Sequence, residues 1–250
     1  MTIQSQNIVV DGRNIEVYRF DLAEPDQRAL YEVAKRQGLA KAPYTHAADP
    51  AGQRRPLIVV QASQILGTLA DAFTAQILRE QLPENIEVIR YDDVRTDQFK
   101  DPDKFDIMLK RGTEEKIVEV RSSIAKFLPN PARVMGQFRL LGWYSTANKL
   151  GEIIRDYYFQ PIFITLDRNI ADGANARTFK SKSYEYFEQG NIALYLLGGA
   201  TRHDLETKGV LTTEEELLQE RAQYQTMKLI DTSPIAEVLS HIKWAFDPQW

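Results

Sequence analysis

Two strand-like runs joined by a short polar link lie in the middle of this 250-residue chain. The runs are FDIML at 105–109 and IVEVR at 117–121, and RGTEE at 111–115 separates them. Apolar runs on both sides of a Gly-containing link predict a β-hairpin. Successive side chains on a strand point to opposite faces, so Glu119 shares one face with Arg121 while Val118 and Val120 form the packed face. The hairpin therefore brings two acidic side chains, Asp106 and Glu119, onto neighbouring strands.

The composition excludes several classes of protein and of site. Hydrophobic residues make up 43% of the chain, which is enough for a sizeable core. Because there is no cysteine, any metal must be bound by oxygen ligands or by the three histidines. No signal peptide and no membrane-spanning stretch is recognisable, so we expect a cytoplasmic protein without a membrane partner. The net charge of −4 argues against bulk electrostatic coating of nucleic acid but allows a local basic cleft.

The chain divides into three predicted parts. Residues 1–56 hold a hairpin around Asp11-Gly12, a short helix at 25–38 and an irregular connector. Residues 57–200 form the core. Residues 201–250 are predicted to be helices packed on that core, one ending near Leu229 and another starting at Ser233-Pro234.

The core has a definite predicted order of elements. Apolar residues at helical spacing predict a helix over 63–82, which Pro83 ends. After the hairpin strands, a second helix is predicted over 132–150. The predicted strands are 86–91, 105–110, 116–122, 158–166 and 191–197. The resulting order is αβββαβ, an α/β core with a mixed central sheet flanked by helices.

This order, with acidic residues on the two hairpin strands, resembles the PD-(D/E)XK nuclease superfamily, which includes many restriction endonucleases. Asp106, Glu119 and Arg121 carry the resemblance in the pattern D…ExR, where the family usually has D…ExK. The two acids are thirteen positions apart, and the resemblance covers about residues 60–166. It implies a restriction-endonuclease-like core extended by the N-terminal hairpin and the C-terminal helices.

The resemblance also implies a chemistry. Phosphodiester hydrolysis needs an aimed hydroxide and a cation, and carboxylate oxygens are the ligands that Mg²⁺ prefers. Asp106, Glu119 and the carbonyl of Val120 would then hold Mg²⁺. Arg121 stays protonated, so it cannot replace the family's lysine as a base, although it can clamp a phosphate. Lys110 and Lys126 are candidate substitutes for that lysine.

Other residues are candidates for accessory roles. Arg177, Lys180 and Lys182 lie beside aromatic residues, a combination that suits DNA, although a solvated loop explains it equally well. Gln137 resembles the glutamine of a glutamine-plus-tyrosine helix in RecB-like nucleases, but Tyr144 follows seven residues later instead of four. Glu80 is a further candidate, since in several members of the superfamily a glutamate of the first helix joins the metal site.

Four functions remain open. The first is a Mg²⁺-dependent DNA endonuclease of the type II restriction kind, acting as a homodimer and without a nucleotide cofactor. The second is a catalytically impaired nuclease-fold protein that serves as a DNA-binding or assembly module. The third is a small-ligand phosphate site at the Gly198-Gly199 turn and the helix that would follow it. The fourth is an interaction protein in which Asp106 and Glu119 are simply paired with Arg121 and nearby lysines.

Overall fold

A central eight-stranded sheet organises the computed structural model, which describes residues 3–45, 54–145, 152–213, 216–217 and 222–249. The strands in these residues are β1 (Ser5–Val10), β2 (Arg13–Arg19), β3 (Glu87–Arg90), β4 (Ile107–Arg111), β5 (Glu114–Val120), β6 (Ser123–Ala125), β7 (Arg139–Tyr144), β8 (Tyr157–Thr165), β9 (Ile192–Thr201), β10 (Val210–Thr212) and β11 (Tyr224–Lys228). The helices are α1 (Pro25–Lys41), α2 (Leu57–Gln81), α3 (Tyr91–Val94), α4 (Pro131–Gln137), α5 (Arg168–Gly173), α6 (Ala176–Ser181), α7 (Ser183–Glu188), α8 (Arg202–Thr207) and α9 (Ile235–Phe246).

The central sheet is mixed but mostly antiparallel. Its order is β1-β2-β9-β8-β5-β4-β3, and the short strand β6 also pairs with β8. Strand β8 runs parallel to β5 and β6, whereas the other neighbours are antiparallel. Parallel neighbours need a long crossover, and the segment between β5 and β8 contains α4 and β7. The predicted α/β class and helix-flanked mixed sheet are therefore confirmed.

Each face of this sheet is covered by a different layer. On one face, α2 packs its long apolar side against strand residues such as Ile107, Val118 and Phe163. On the other face lie α4 and a small antiparallel sheet of order β10-β11-β7. Among the described residues, α2 is the one helix that is long and apolar enough to cross a membrane, but 61% of its most apolar window is buried inside the protein. The apolarity of α2 is accounted for by its place in the core.

Close packing of α1 against α2 depends on Gly38, and this gives a first testable prediction. A Cβ at position 38 would lie 2.6 Å from the Cα of Ile65, a backbone atom that cannot move independently. We expect Gly38→Ala to destabilise the protein by about 1–3 kcal/mol through overpacking. The matched control is Gly67→Ala within α2, where a Cβ would meet nothing within 4 Å. It should stabilise by about 0.5–1 kcal/mol, because alanine is the better helix former. Urea denaturation measures both, and equal effects of the two substitutions would contradict the packing argument.

Both predicted hairpins are confirmed. Asp11 and Gly12 have φ of 49° and 77° in the β1–β2 turn, and Gly112 has φ of 61° between β4 and β5. The helices predicted at 25–38 and 63–82 are present as α1 and α2, each somewhat longer than expected. Strands β3, β8 and β9 match the predictions to within a few residues.

Two predicted helices are wrong. The helix predicted over 132–150 ends at Gln137, and the chain continues as strand β7; residues 146–150 lie outside the described part. The C-terminal helix predicted to end near Leu229 is contradicted by β10 and β11, which pair with each other and with β7. Instead of a purely helical extension, the C-terminal part contributes two strands to the small sheet, followed by α9.

Candidate functional site

Asp106 and Glu119 meet at the open end of the β4–β5 hairpin. Ile107 of β4 pairs with Val118 of β5, so Asp106 and Glu119 are the next opposed positions along the ladder. Asp106 Oδ2 accepts a hydrogen bond of 2.7 Å from the backbone N–H of Val120. Strand β5 lies between β4 and β8, which places Glu119 in the interior of the sheet. The hairpin thus brings the two predicted acids together.

A third carboxylate comes from α2. Asp71 interacts electrostatically with Asp106, although 35 positions separate the two residues in sequence. The sequence pattern points to Glu80 as the acid of this helix and does not indicate Asp71. A local signal was nevertheless present, since Asp71 stands between Ala70 and Ala72 in a helix whose neighbouring positions are buried. We refer to Asp71, Asp106 and Glu119 as the acidic cluster.

Two members of the acidic cluster, Asp71 and Asp106, have raised pKa values. Burial, followed by the charges of Glu119 and Asp71, raises the pKa of Asp106 well above its usual range. Burial also raises the pKa of Asp71 to about 7; Lys41 opposes that rise and Asp92 adds to it. Like charges held together in a partly desolvated site favour a proton or a cation. The cluster therefore has the electrostatics of a cation-binding site.

A buried lysine borders this cluster. Lys41, at the end of α1, places its Nζ 2.7 Å from Asp92 Oδ2 and 2.9 Å from Asp103 Oδ2. Burial lowers the pKa of Lys41, but the charges of Asp71, Asp92 and Asp103 outweigh it and the net pKa is raised. Lys41 thus stays protonated, and it is suited to balance negative charge but not to act as a base.

Arg121 is enclosed instead of facing solvent. Its Nη2 lies 3.0 Å from Glu119 Oε1 and 2.8 Å from Glu152 Oε1, and its side chain is 13% exposed. The guanidinium carbon lies 4.8 Å from the ring centre of Tyr144 and 5.4 Å from that of Tyr224. The backbone N–H of Tyr144 also donates to Glu152 Oε2. We call these four partners the arginine cage; the cage fixes Arg121 next to Glu119, and Arg121 in turn fixes the orientation of Glu119.

The acidic cluster fits the ligand chemistry of Mg²⁺, with one rearrangement. Asp71 and Asp106 supply carboxylate oxygens, which are the ligands that Mg²⁺ prefers. The two carboxylates repel each other, and a bound cation would remove that repulsion. Glu119 is held by Arg121 and lies 3.6 Å from Nε of Arg155, so it reaches a cation only by giving up an arginine. In agreement with this, no three His, Asp or Glu side chains among the described residues are already arranged around a common metal position.

The remaining lysine and glutamate candidates lie elsewhere. Lys110 is four residues along β4 from Asp106, next to the turn, and pairs with Glu115 at 3.2 Å. Lys126 donates to the carbonyl of Ala174 at 2.6 Å and lies over the ring of Phe179. Glu80 accepts from the backbone N–H of Ile3 at 2.8 Å, near the end of α2. The structure joins none of these three to the acidic cluster.

The candidate DNA-binding residues form two separate groups. Arg177 and Lys180 lie on α6, Lys182 follows directly, and all three are exposed. Gln137 is exposed at the end of α4, whereas Tyr144 lies in the arginine cage at the other end of β7. Seven residues of nearly extended chain span on the order of 20 Å, so Gln137 and Tyr144 do not form one site.

The glycine-turn hypothesis is wrong. Gly198 and Gly199 lie inside β9, where a Cβ on Gly198 would clash with Thr232 Oγ1 and one on Gly199 would lie 2.9 Å from the ring of Phe159. These glycines are required by close packing and not by a turn. The helix that follows, α8, has only six residues, and a Thr201–Asp204 capping box satisfies its start. No phosphate cradle is formed there.

Comparison with known proteins adds a relative without a described activity. The chain is 27% identical to an uncharacterized protein, MJECS01, of Methanocaldococcus jannaschii over 261 aligned residues, which cover 95% of this chain and 88% of the relative. No family model matches the chain. No solved structure matches it significantly. The assignment of a function therefore rests on the geometry of the acidic cluster.

Proposed function

We propose that this chain is a Mg²⁺-dependent DNA endonuclease of the type II restriction kind with a restriction-endonuclease-like core, acting in the cytoplasm. One observation carries the proposal: Asp106, directly before β4, lies opposite Glu119 of β5, and Asp71 of the core helix α2 interacts electrostatically with Asp106. The order α2, β3, β4, β5, α4 and β8 supports it as the expected αβββαβ order, with α3, β6 and β7 as additional elements.

The residues of the chain have distinct roles in this proposal. Bound Mg²⁺ would activate the attacking water and neutralise charge on the scissile phosphate. Asp71 and Asp106 would hold the ion, joined by Glu119 and the carbonyl of Val120. Arg121 positions Glu119 through the arginine cage, and because it is permanently protonated it takes no proton from water. Lys41 limits the net negative charge of the cluster from the α1 side.

One observation favours the second candidate, a catalytically impaired DNA-binding module. Glu119 is compensated by Arg121 and Arg155, and an arginine stands where the family usually has a lysine. A site that keeps this pairing in the presence of Mg²⁺ would bind DNA without cutting it. The two candidates differ in one measurable property, Mg²⁺-dependent cleavage.

Cleavage of plasmid DNA in Mg²⁺, with an EDTA control, tests the proposal. We expect the wild-type chain to cut and Glu119→Gln to lose on the order of 100-fold in rate, because a neutral amide is a weaker ligand than a carboxylate for the Mg²⁺ that neutralises charge on the scissile phosphate. Glu115→Gln is the matched control, since Glu115 lies on the same strand beside the turn. Equal cleavage by both variants would refute the metal-site assignment. DNA binding without cleavage by the wild type would instead select the impaired module.

A further inference from the structure

Two arginines flank the carboxylate of Glu119, one at each oxygen. Nη2 of Arg121 lies 3.0 Å from Oε1, and Nε of Arg155 lies 3.6 Å from Oε2. Because each oxygen faces a positive charge, a cation reaches Glu119 only after one of the two guanidinium groups has moved away. Which arginine moves therefore decides how the acidic cluster binds Mg²⁺.

Arg121 is the more firmly held of the two. Its guanidinium also pairs with Glu152 at 2.8 Å and lies over both tyrosine rings of the arginine cage. The guanidinium of Arg155 instead makes one hydrogen bond, of 2.9 Å to the carbonyl of Lys104, and its 3.6 Å separation from Glu119 is longer than a hydrogen bond. Displacing Arg155 therefore breaks fewer contacts, and it frees Oε2 of Glu119 while Arg121 keeps Oε1.

The position of Arg155 suits a phosphate. Its side chain is 18% exposed, so the guanidinium is within reach of solvent at the edge of the acidic cluster. Lys104, whose carbonyl it contacts, is itself exposed and brings a second positive side chain to this part of the surface. A guanidinium binds a phosphate through two parallel hydrogen bonds, which is a stronger contact than an ion pair at 3.6 Å. A backbone phosphate of DNA is therefore a better partner for Arg155 than Glu119 is.

We infer that Arg155 couples DNA binding to Mg²⁺ binding: in the free protein it opposes Glu119 in place of the cation, and with DNA bound it contacts a backbone phosphate and leaves Oε2 of Glu119 to Mg²⁺. This rests on the proposed function, because the DNA and the ion are those of the endonuclease. Coupling between two sites is reciprocal, so DNA raises the affinity for Mg²⁺ by the same factor as Mg²⁺ raises the affinity for DNA. The site then fills with metal chiefly when DNA is present.

Titration calorimetry of Mg²⁺ into the free protein tests the first half of this inference. Arg155→Gln removes the competing charge, and we expect it to bind Mg²⁺ about 10-fold more tightly than the wild type, a typical size for coupling between two sites. Arg155→Lys keeps the charge but not the planar fork, so its affinity should lie between those two.

The matched control is Arg111→Gln, at the turn end of β4. Like Arg155, Arg111 makes one ion pair with a carboxylate, that of Asp247 at 3.1 Å, and donates to one backbone carbonyl, that of Phe246. The control thus removes the same charge and the same kinds of contact at a place away from the acidic cluster. It should leave the affinity for Mg²⁺ close to that of the wild type.

Binding of a fluorescent duplex of about 20 base pairs in EDTA tests the second half without cleavage, since phosphate contacts do not need the metal. We expect Arg155→Gln to bind the duplex about threefold more weakly, and its slope of log K against log salt to be shallower by about 0.9, as the loss of one phosphate contact requires. Arg111→Gln should change neither quantity by as much. Tighter Mg²⁺ binding together with weaker DNA binding is not the result of partial unfolding, which would weaken both.

The outcomes separate this inference from the proposed function. An affinity for Mg²⁺ that does not rise in Arg155→Gln overturns the inference, even if the wild type cuts DNA. Equal changes in Arg155→Gln and Arg111→Gln would show a general charge effect and overturn it as well, as would tighter Mg²⁺ binding without any loss of DNA affinity. Opposite shifts confined to Arg155→Gln support the inference, and if the wild type then never cuts DNA, it is the proposed function that fails.

Discussion

Arg121→Ala is expected to lower the free energy of unfolding by about 3–5 kcal/mol, because it removes the guanidinium that bridges two largely buried carboxylates. Glu119 and Glu152 are 19% and 9% exposed, so neither recovers full hydration when the guanidinium is removed. The rings of Tyr144 and Tyr224 lose a cation at 4.8 Å and 5.4 Å as well. Each such contact adds on the order of 1 kcal/mol in a partly desolvated setting.

Urea denaturation at neutral pH measures this effect. Arg168→Ala is the control, since Arg168 also pairs with a carboxylate, Asp172 at 3.5 Å, but its side chain is 86% exposed. It should change stability by less than about 0.5 kcal/mol, as exposed pairs do. If Arg121→Ala and Arg168→Ala lower the free energy of unfolding equally, the arginine cage does not stabilise the fold. Arg121 would then be available for another role.

Arg121→Lys separates the stabilising role of this residue from a catalytic one. A lysine gives the ExK pattern that is usual in the superfamily the sequence resembles, but it cannot bridge two carboxylates and stack on two rings with the geometry of a planar guanidinium. We therefore expect a loss of stability smaller than that of the alanine variant, by roughly half, since the charge is kept. Cleavage that is retained or increased in a folded lysine variant would support the endonuclease proposal. Cleavage that falls without a loss of stability would contradict a purely positioning role.

The sequence predicted the parts of the fold whose patterns are local. The β4–β5 hairpin follows from alternation around Gly112, and α2 follows from apolar residues at helical spacing before Pro83. The sequence pattern does not indicate strand β7, because its neighbouring residues Leu140 and Leu141 are both buried, each in a different hydrophobic cluster. A strand buried on both sides loses its alternation and cannot be distinguished from a buried helix by periodicity.

The candidate site was predictable only in part, for a related reason. Asp106 and Glu119 are close in sequence and one hairpin joins them. Asp71, by contrast, reaches the cluster only because α2 packs under β4 and β5. Glu152 and Tyr224 reach Arg121 through the crossover before β8 and through the small sheet, both set by tertiary structure. A single sequence shows which residues are unusual for their element but not which of them meet.

Asp106→Asn is expected to abolish Mg²⁺-dependent cleavage and, in the absence of Mg²⁺, to stabilise the protein. Burial and the charges of Glu119 and Asp71 raise the pKa of Asp106 well above the value of 3.8 that it has in an unfolded chain. The folded state therefore retains a proton that the unfolded state releases, and stability falls as pH rises from about 4 through the raised pKa of the folded state. Asparagine carries no charge at any pH, and its oxygen still accepts the hydrogen bond from Val120 N–H.

Unfolding in EDTA at about pH 5 and about pH 7.5 tests the linkage, because the charge of Asp106 lowers the stability of the wild type as pH rises above about 4 and asparagine has no such charge. The advantage of Asp106→Asn over the wild type should grow between the two values, whereas Asp11→Asn, at the exposed β1–β2 turn, should show no such trend. Mg²⁺ should then raise the melting temperature of the wild type and of Asp11→Asn but not that of Asp106→Asn, because a cation stabilises only a folded state that binds it. An equal rise in all three proteins would place the cation elsewhere. If Mg²⁺ raises the melting temperature only of the proteins that keep Asp106, then Asp106 binds the cation. Its carboxylate then lowers the stability of the metal-free fold, as expected of a residue kept for function instead of for packing.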